Sequence, residues 1–204
     1  MDISGLTLTE NFITVEEEKY LIEQIDKSVY DTSLARRTQH YGYVYDYTSK
    51  AANKKTTPIP DWCKFVIDRL LQQNILKEIP DQMIVNEYMP GQGIYPHIDH
   101  TGYFADGIAS LSLGSPVIMD FIDNCNISQN EISVSKDSNG SQSEPSNSRN
   151  YNPSNKKEVL LSSRSVISLH EDARYKWRHG ITARKSDNGF KRTRRISLTF
   201  RKMK

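Results

Sequence analysis

The chain has 204 residues, 27 Lys or Arg against 25 Asp or Glu, and charged residues at 25%, a length and balance that fit one soluble globular domain with room for a sizeable core. No stretch of about 18 apolar residues is present, and Met1-Asp2-Ile3-Ser4-Gly5 lacks a basic and apolar leader, so neither a membrane span nor secretion is expected. Cys63 and Cys125 match no zinc or redox spacing, which suits a reducing compartment, the cytosol or nucleus.

Thr14 followed by Glu17 is a capping box that predicts a first helix over about 15–29, with Leu21, Ile22, Ile25 and Val29 facing inward. Next comes His40-Tyr41-Gly42-Tyr43-Val44-Tyr45-Asp46-Tyr47, where tyrosines recur at every second position. On an extended strand Tyr41, Tyr43, Tyr45 and Tyr47 form one aromatic face, either an ordinary sheet face or a surface that stacks on a base. Arg36, Arg37, Lys54 and Lys55 flank it as candidate phosphate contacts or plain solvated charges.

A second helix is expected from Asp61, carrying Phe65, Val66, Arg69, Leu70 and Gln73 along one stripe. After Ile79-Pro80-Asp81 the pattern changes to strands at 83–88, 108–113, 117–122, 159–161, 165–169 and 194–201. Two helices followed by many strands predict an α+β fold with a sandwich or jelly-roll barrel. From Asn124 to Glu158 the chain is Ser-, Asn- and Gln-rich with almost no large apolar residue. It is read as a disordered insert at about 125–157, too polar to offset its ordering entropy.

His97-Ile98-Asp99 places an imidazole and a carboxylate two residues apart, on one face of an extended strand, and His179 follows downstream. Two histidines and one carboxylate are the ligand set of a mononuclear non-haem iron(II) site with open positions. A lone His-x-Asp is weak, but its neighbours strengthen it. Asn86 and Tyr88 share a strand face shortly before it. In Arg195-Ile196-Ser197-Leu198-Thr199-Phe200-Arg201, the even positions are apolar and the odd ones polar. Turned into a barrel, the polar face lines the lumen, and buried guanidinium groups at Arg195 and Arg201 need anionic partners. Iron donors, amide, phenol and two arginines together suit 2-oxoglutarate. His40, His100 and His170 lack a carboxylate at strand spacing and are read as structural or surface residues. Trp62 and Trp177 are read as core.

From Arg174 to Lys204 there are twelve Lys or Arg and one acid, Asp187. That basic end is either a solvated tail or the mark of a polyanionic partner.

Asn86-Glu87-Tyr88-Met89-Pro90-Gly91-Gln92-Gly93-Ile94 leading into His97-Ile98-Asp99, then His179-Gly180-Ile181 and Arg195 through Arg201, resembles the AlkB family of Fe(II)/2-oxoglutarate-dependent dioxygenases. Gln39 to Tyr43, Ser110 to Ser115, Met119-Asp120-Phe121 and Arg174 to Ile181 are most similar to the AlkB-like domain of eukaryotic tRNA wobble-uridine hydroxylases. The resemblance covers nearly the whole chain, 1–204, as a single dioxygenase domain apart from the insert. It implies a double-stranded β-helix, iron held by His97, Asp99 and His179, and 2-oxoglutarate held by Asn86, Tyr88, Arg195 and Arg201. It also implies that Tyr41, Tyr43 and Tyr45 belong to a nucleotide lid.

The implied substrate is a modified base in nucleic acid, with tRNA wobble-uridine hydroxylation first and oxidative demethylation of alkylated DNA or RNA as the alternative. A non-catalytic nucleic-acid-binding barrel is the alternative of another class. Family members of this type carry RNA-recognition and methyltransferase domains outside the dioxygenase, so a separate methyltransferase or RNA-binding partner is expected. His100 falls one position from the family's zinc histidine and the Cys-containing tail is missing, so no structural zinc is expected.

Overall fold

The computed structural model describes residues 3–46, 51–124 and 156–204, with the side chains of 45, 46 and 51–53 left aside. Most of the Ser/Asn-rich insert and Tyr47 therefore lie outside the described residues. The insert's expected end is corrected, because Lys156–Leu161 is already a strand.

In chain order the elements are β1 (Leu6–Thr9), α1 (Val15–Asp26), β2 (Arg37–Tyr41), β3 (Tyr43–Asp46), β4 (Ala51–Lys55), a 3-10 turn (Asp61–Cys63), α2 (Lys64–Gln72), β5 (Gln82–Tyr88) and β6 (Ile94–His97). There follow β7 (Ile108–Gly114), β8 (Val117–Asp123), β9 (Lys156–Leu161), β10 (Val166–Leu169), α3 (Glu171–Tyr175), β11 (Trp177–Ile181), the short strands β12 (Ser186–Asp187) and β13 (Phe190–Lys191), and β14 (Arg195–Arg201). A six-stranded sheet runs β1-β10-β7-β14-β5-β2, and a four-stranded sheet runs β6-β11-β8-β9. All their pairings are antiparallel. This is the expected α+β jelly roll.

The capping box forms as read: the Thr14 side chain accepts from the Glu17 amide at 3.2 Å, and Glu17 accepts from the Thr14 amide at 2.8 Å. α1 stops at Asp26, short of the expected end, so Val29 stands 93% exposed rather than inward. Leu21 and Ile25 from α1 and Val66 and Leu70 from α2 pack on the outer face of the large sheet, against Met83, Val85, Leu111, Leu198 and Phe200. A second apolar cluster lies between the sheets, with Met119, Phe121, Val159, Ile167, Leu169 and Ile181. At roughly 25 cal/mol per Å² of apolar surface, burial in these two layers is the main stabilising contribution.

β14 therefore serves both layers. Its even positions enter the helix-side core, and its odd positions face the space between the sheets, which strand alternation requires. β5 beside it in register is buried at every residue.

The tyrosine stripe does not form one continuous face. Gly42, at φ +77°, separates β2 from β3, and a Cβ there would sit 1.8 Å from the Asp81 carbonyl oxygen. Tyr41 is consequently buried in the helix-side core, edge-on to Trp62, and its hydroxyl donates to Gln39 Oε1 at 3.1 Å. It cannot stack on a ligand. Tyr43 stays half-buried at the start of the β3–β4 hairpin. Tyr45 lies on β3.

Part of the basic end is committed within the fold, while Lys185 and Lys191 stay exposed. Arg184 and Arg192 converge on buried Asp187, Arg194 is shared by Asp26 and Glu87, and Lys202 pairs with Asp81. No helix among the described residues is long and apolar enough to cross a membrane.

Candidate active site

Between the sheets lies a cavity of about 500 Å³, counting its open mouth. Asn86, Tyr88, His97, Asp99, His179, Arg195 and Arg201 all line it, together with Ser110, Ser197 and Thr199. The structure thus brings seven of the sequence-derived site residues to one place.

β6 and β11 are neighbours, and His97 pairs directly opposite His179. The strands run unusually close just beyond this pair, since a Cβ on Gly180 would lie 2.8 Å from the Pro96 backbone. Only glycine allows that approach. The two imidazole rings are 4.5 Å apart between centroids. Asp99 follows the end of β6 in a turn, and its carboxylate is 3.8 Å from His97 Nε2 and 4.0 Å from His179 Nε2.

Donors about 2.1 Å from one ion and at right angles to each other stand roughly 3 Å apart. The trio is therefore open by about 1 Å, and no set of three His, Cys, Asp or Glu among the described residues is closed to coordination spacing. Side-chain rotation covers such a gap.

The chemistry of the donors fits a metal. His97 Nδ1 lies 2.9 Å from the Tyr95 carbonyl oxygen. Donation to that carbonyl places the ring proton on Nδ1 and leaves the Nε2 lone pair facing Asp99. Burial pushes the His179 pKa down to about 3, with His97 adding to the effect, so its ring is neutral at physiological pH. Burial alone would raise the Asp99 carboxyl, but the Arg201 guanidinium forked onto it outweighs burial and holds it far below the usual carboxylate range. A neutral His179 ring, a His97 ring with Nδ1 taken up by a carbonyl, and an anionic carboxylate suit iron(II).

The arginines occupy opposite ends of β14. Arg201 forks onto the Asp99 carboxylate, Nη2 at 3.0 Å and Nε at 3.3 Å, and its Nη1 donates to Gln82 Oε1 at 3.1 Å. Its guanidinium thus grips the metal-facing carboxylate rather than reaching into open space. Arg195 is different. Its Nη2 donates to Ser112 Oγ at 2.9 Å and its guanidinium lies over the Tyr88 ring at 5.4 Å. Its Nε and Nη1 are buried with no hydrogen-bond partner. Burial pulls its pKa down to about 10, which still leaves it charged. A charged guanidinium that lines a cavity and keeps two unpaired donors could take a carboxylate. Asn86 Oδ1 accepts from Arg36 Nε at 3.0 Å, which fixes the amide at the cavity wall.

Two residues escaped the sequence reading. Gln82 lies on the same face of β5 as Asn86 and Tyr88, and extending the period-2 alternation by two steps would have found it. Arg174, 1% exposed, donates to the backbone carbonyls of Asp99 at 2.8 Å and of His100 and Phe104 at 3.4 Å. It ties the Asp99 turn to the segment that carries His179; no local pattern announces that. The rival histidines are structural: His170 Nε2 is 2.9 Å from the Ile75 carbonyl, and His40 Nε2 is 3.2 Å from Thr38 Oγ1. Exposed His100 lies against the Tyr103 ring. Trp62 and Trp177 are half-buried against the two cores. Arg37 is committed to Glu87, at 2.5 and 2.8 Å, while Lys54 and Lys55 are exposed.

Residues 19–201 match the family model described as the 2OG-Fe(II) oxygenase superfamily. An uncharacterised protein of Acanthamoeba polyphaga mimivirus is 35% identical over 208 residues, covering 98% of this chain and 85% of that protein. The tRNA (carboxymethyluridine(34)-5-O)-methyltransferase alkbh8 of Xenopus tropicalis is 35% identical over 190 residues, 90% of this chain but 26% of that protein. The Arabidopsis thaliana "Alkylated DNA repair protein ALKBH8 homolog" is 32% identical over the whole chain, which spans 60% of its length. The chain thus matches about a quarter of the Xenopus relative and three fifths of the Arabidopsis one. Among solved structures, OsALKBH1 superposes with a TM-score of 0.67 at 16% identity, covering 97% of this chain and 96% of that one. That likeness supports the fold.

Proposed function

Because the chain belongs to the 2OG-Fe(II) oxygenase superfamily and is an AlkB-like 2-oxoglutarate-dependent dioxygenase, we propose that it hydroxylates a modified base in RNA, a uridine at the tRNA wobble position. The observation that carries the site assignment is the shared cavity, lined by the His97–Asp99–His179 trio and by Arg195, whose Nε and Nη1 have no partner.

His97, Asp99 and His179 would hold iron(II). Asn86, Tyr88 and Arg195 would hold 2-oxoglutarate, the Arg195 fork taking its distal carboxylate. Arg201 lines the same cavity but acts mainly on Asp99, keeping that carboxylate ionised and aimed. When bound, iron(II) and 2-oxoglutarate supply the oxidising chemistry, in which oxygen and the keto acid are consumed, succinate and carbon dioxide leave, and a substrate C–H bond becomes C–OH. The protein's contribution is orientation. Arg174 and Arg201 fix the Asp99 turn, the His97–Tyr95 contact fixes the tautomer, and the apolar wall of Met119, Ile167, Leu169 and Ile181 limits water.

The choice of RNA rests on the Xenopus relative, whose name specifies a tRNA uridine at position 34. Tyr43 and Tyr45 at the β3–β4 hairpin are the tentative base contacts. The proposal takes residues 1–204 as one dioxygenase domain acting in the cytosol or nucleus, with RNA capture and methyl transfer supplied by a partner or by segments outside these residues. A second reading, oxidative demethylation of alkylated DNA, draws on the name of the Arabidopsis relative.

The two are separated by incubating iron-loaded protein with hypomodified tRNA and, in parallel, with methylated single-stranded DNA, and following nucleosides by mass spectrometry. Hydroxylation of a wobble-uridine side chain supports the proposal. Methyl loss from DNA with tRNA untouched replaces it with repair. Iron-dependent succinate release with neither substrate altered would leave the enzyme class standing and remove both substrates.

A further inference from the structure

The rim of the cavity carries a surface that the reaction site leaves unused. The turn at 89–93 joins β5 to β6, and Asn86, Tyr88, Ile94 and His97 of those strands line the cavity, so the turn and β6 form its lip. The chain beyond β11 runs alongside, where the Gly91 amide donates to the Arg184 carbonyl at 3.2 Å. The Lys185 stem lies over Gly91, within 4.0 Å of where a Cβ would stand. Buried Asp187 accepts from Arg184, Arg192 and the Ile118 amide, and Arg192 Nη1 donates to the Thr182 carbonyl at 2.8 Å. The β12–β13 hairpin is thereby clamped to the body of the fold.

Residues 88–97 contain no acid, and residues 182–193 hold four cations against one carboxylate, Asp187, which is 1% exposed. The lip therefore shows solvent Lys185, Lys191, Met89 and Tyr95, whose ring stands 78% exposed two residues before His97. An aromatic ring left in water beside fixed cations, with no acid to compete, suits a single nucleic-acid strand: phosphates meet the cations and an unpaired base meets the ring. From Gly91 to His97 the chain spans at most about 20 Å, the rise of about six stacked nucleotides.

We propose that this lip docks the single-stranded RNA flanking the target base, with Lys185 and Lys191 taking phosphates and Tyr95 stacking on a neighbouring base. This rests on the reading of the substrate as nucleic acid and adds where the rest of the strand lies. Because the hairpin is already clamped, little affinity is lost to ordering its backbone on binding.

Fluorescence anisotropy of the full chain with a labelled oligouridylate of about ten nucleotides, repeated at several salt concentrations, reads both kinds of contact. Each lost phosphate contact lowers the slope of log affinity against log salt by about 0.7 on a single strand, so Lys185→Ala/Lys191→Ala should lower it by about 1.4, with Tm unchanged. Lys19→Ala/Lys27→Ala, exposed on α1 behind the large sheet, should keep the wild-type slope. Tyr95→Ala should weaken binding by about fivefold or more at every salt concentration, and Tyr95→Phe, which keeps the ring, should restore most of it.

A wild-type slope in the hairpin variant, or an equal loss in the α1 variant, overturns the proposal, as does Tyr95→Phe binding as weakly as Tyr95→Ala. If the hairpin variant keeps the wild-type slope while tRNA is still hydroxylated, the strand docks elsewhere and the substrate reading stands. If the wild type binds no strand and alters neither tRNA nor methylated DNA, both fall.

Discussion

Glu87→Gln removes one negative charge from a place where the fold has concentrated positive ones. Glu87 is 1% exposed, on the face of β5 opposite Asn86 and Tyr88. It accepts from Arg37 Nε at 2.5 Å, Arg37 Nη2 at 2.8 Å and Arg194 Nε at 2.6 Å. Breaking a fully buried ion pair on one side costs about 3–5 kcal/mol. Here the cost is smaller, because Arg37 is half exposed and can rehydrate, and Arg194 keeps Asp26. About 2 kcal/mol is expected. For a chain of this size each kcal/mol shifts Tm by about 2–4 °C, so Tm should fall by about 4–8 °C in a thermal unfolding scan near pH 7. The affinity for 2-oxoglutarate should change little, because β5 remains paired to β14 and β2 along its length. A Tm within about 1 °C of the wild type would mean that the cluster is a solvated surface arrangement, and the account of how it braces the site would be wrong.

Other expectations follow from the same geometry. His97→Ala should abolish iron-dependent succinate release with Tm of the metal-free protein nearly unchanged, since that ring is about a third exposed; wild-type turnover would remove the metal assignment. Arg195→Lys keeps the charge but loses the fork, so the apparent affinity for 2-oxoglutarate should fall by about 1–3 kcal/mol. Unchanged affinity in a binding titration would place the co-substrate elsewhere. Burial works to raise the Glu87 and Asp187 carboxyls, but Arg37 and Arg194 around the first, and Arg192 with the Ile118 amide and Arg184 around the second, hold both below their usual values. Such groups stabilise the fold above their unfolded pKa values, near 4, and that contribution is lost as pH falls through the lower folded values. Denaturant midpoints should therefore decline below about pH 4.5, and Glu87→Gln should flatten part of that decline; a parallel curve for the variant would contradict the linkage.

Six of the longer strands were legible because alternation is local, and the burial of β5 and β14 follows from it, whereas β1 and the His179 strand β11 were not read. Asn86, Tyr88, Arg195 and Arg201 were found by that rule, and His97 with Asp99 by spacing. What the rule could not give was the partner of each charge. Arg194 meets Asp26 across 168 positions, and Arg201 meets Asp99 across 102. Nothing near either arginine in the chain marks the acid it will reach. Counting charges along 174–204 therefore suggested a polyanion-binding end, whereas folding uses many of those cations internally. The tyrosine run was broken for a different reason: Gly42 adopts a left-handed backbone conformation that separates β2 from β3, so Tyr41 packs in the core while Tyr43 stays half-buried on the hairpin.

The same two-faced logic links the braces to the site. Glu87 sits between Asn86 and Tyr88, and Arg194 immediately precedes Arg195, so the ion cluster and the cavity wall belong to the same two strands. Outside the sheet, Glu87 and Arg194 join β5 to β14 and both to α1 through Asp26. Inside it, Arg195 keeps two buried donors, Nε and Nη1, without a partner. Holding a guanidinium in that state requires a backbone that cannot shift to let it reach solvent or a nearer acceptor. The ion cluster on the outer face adds to the β5–β14 and β7–β14 pairing that holds this backbone, so that unsatisfied donors persist on the inner face.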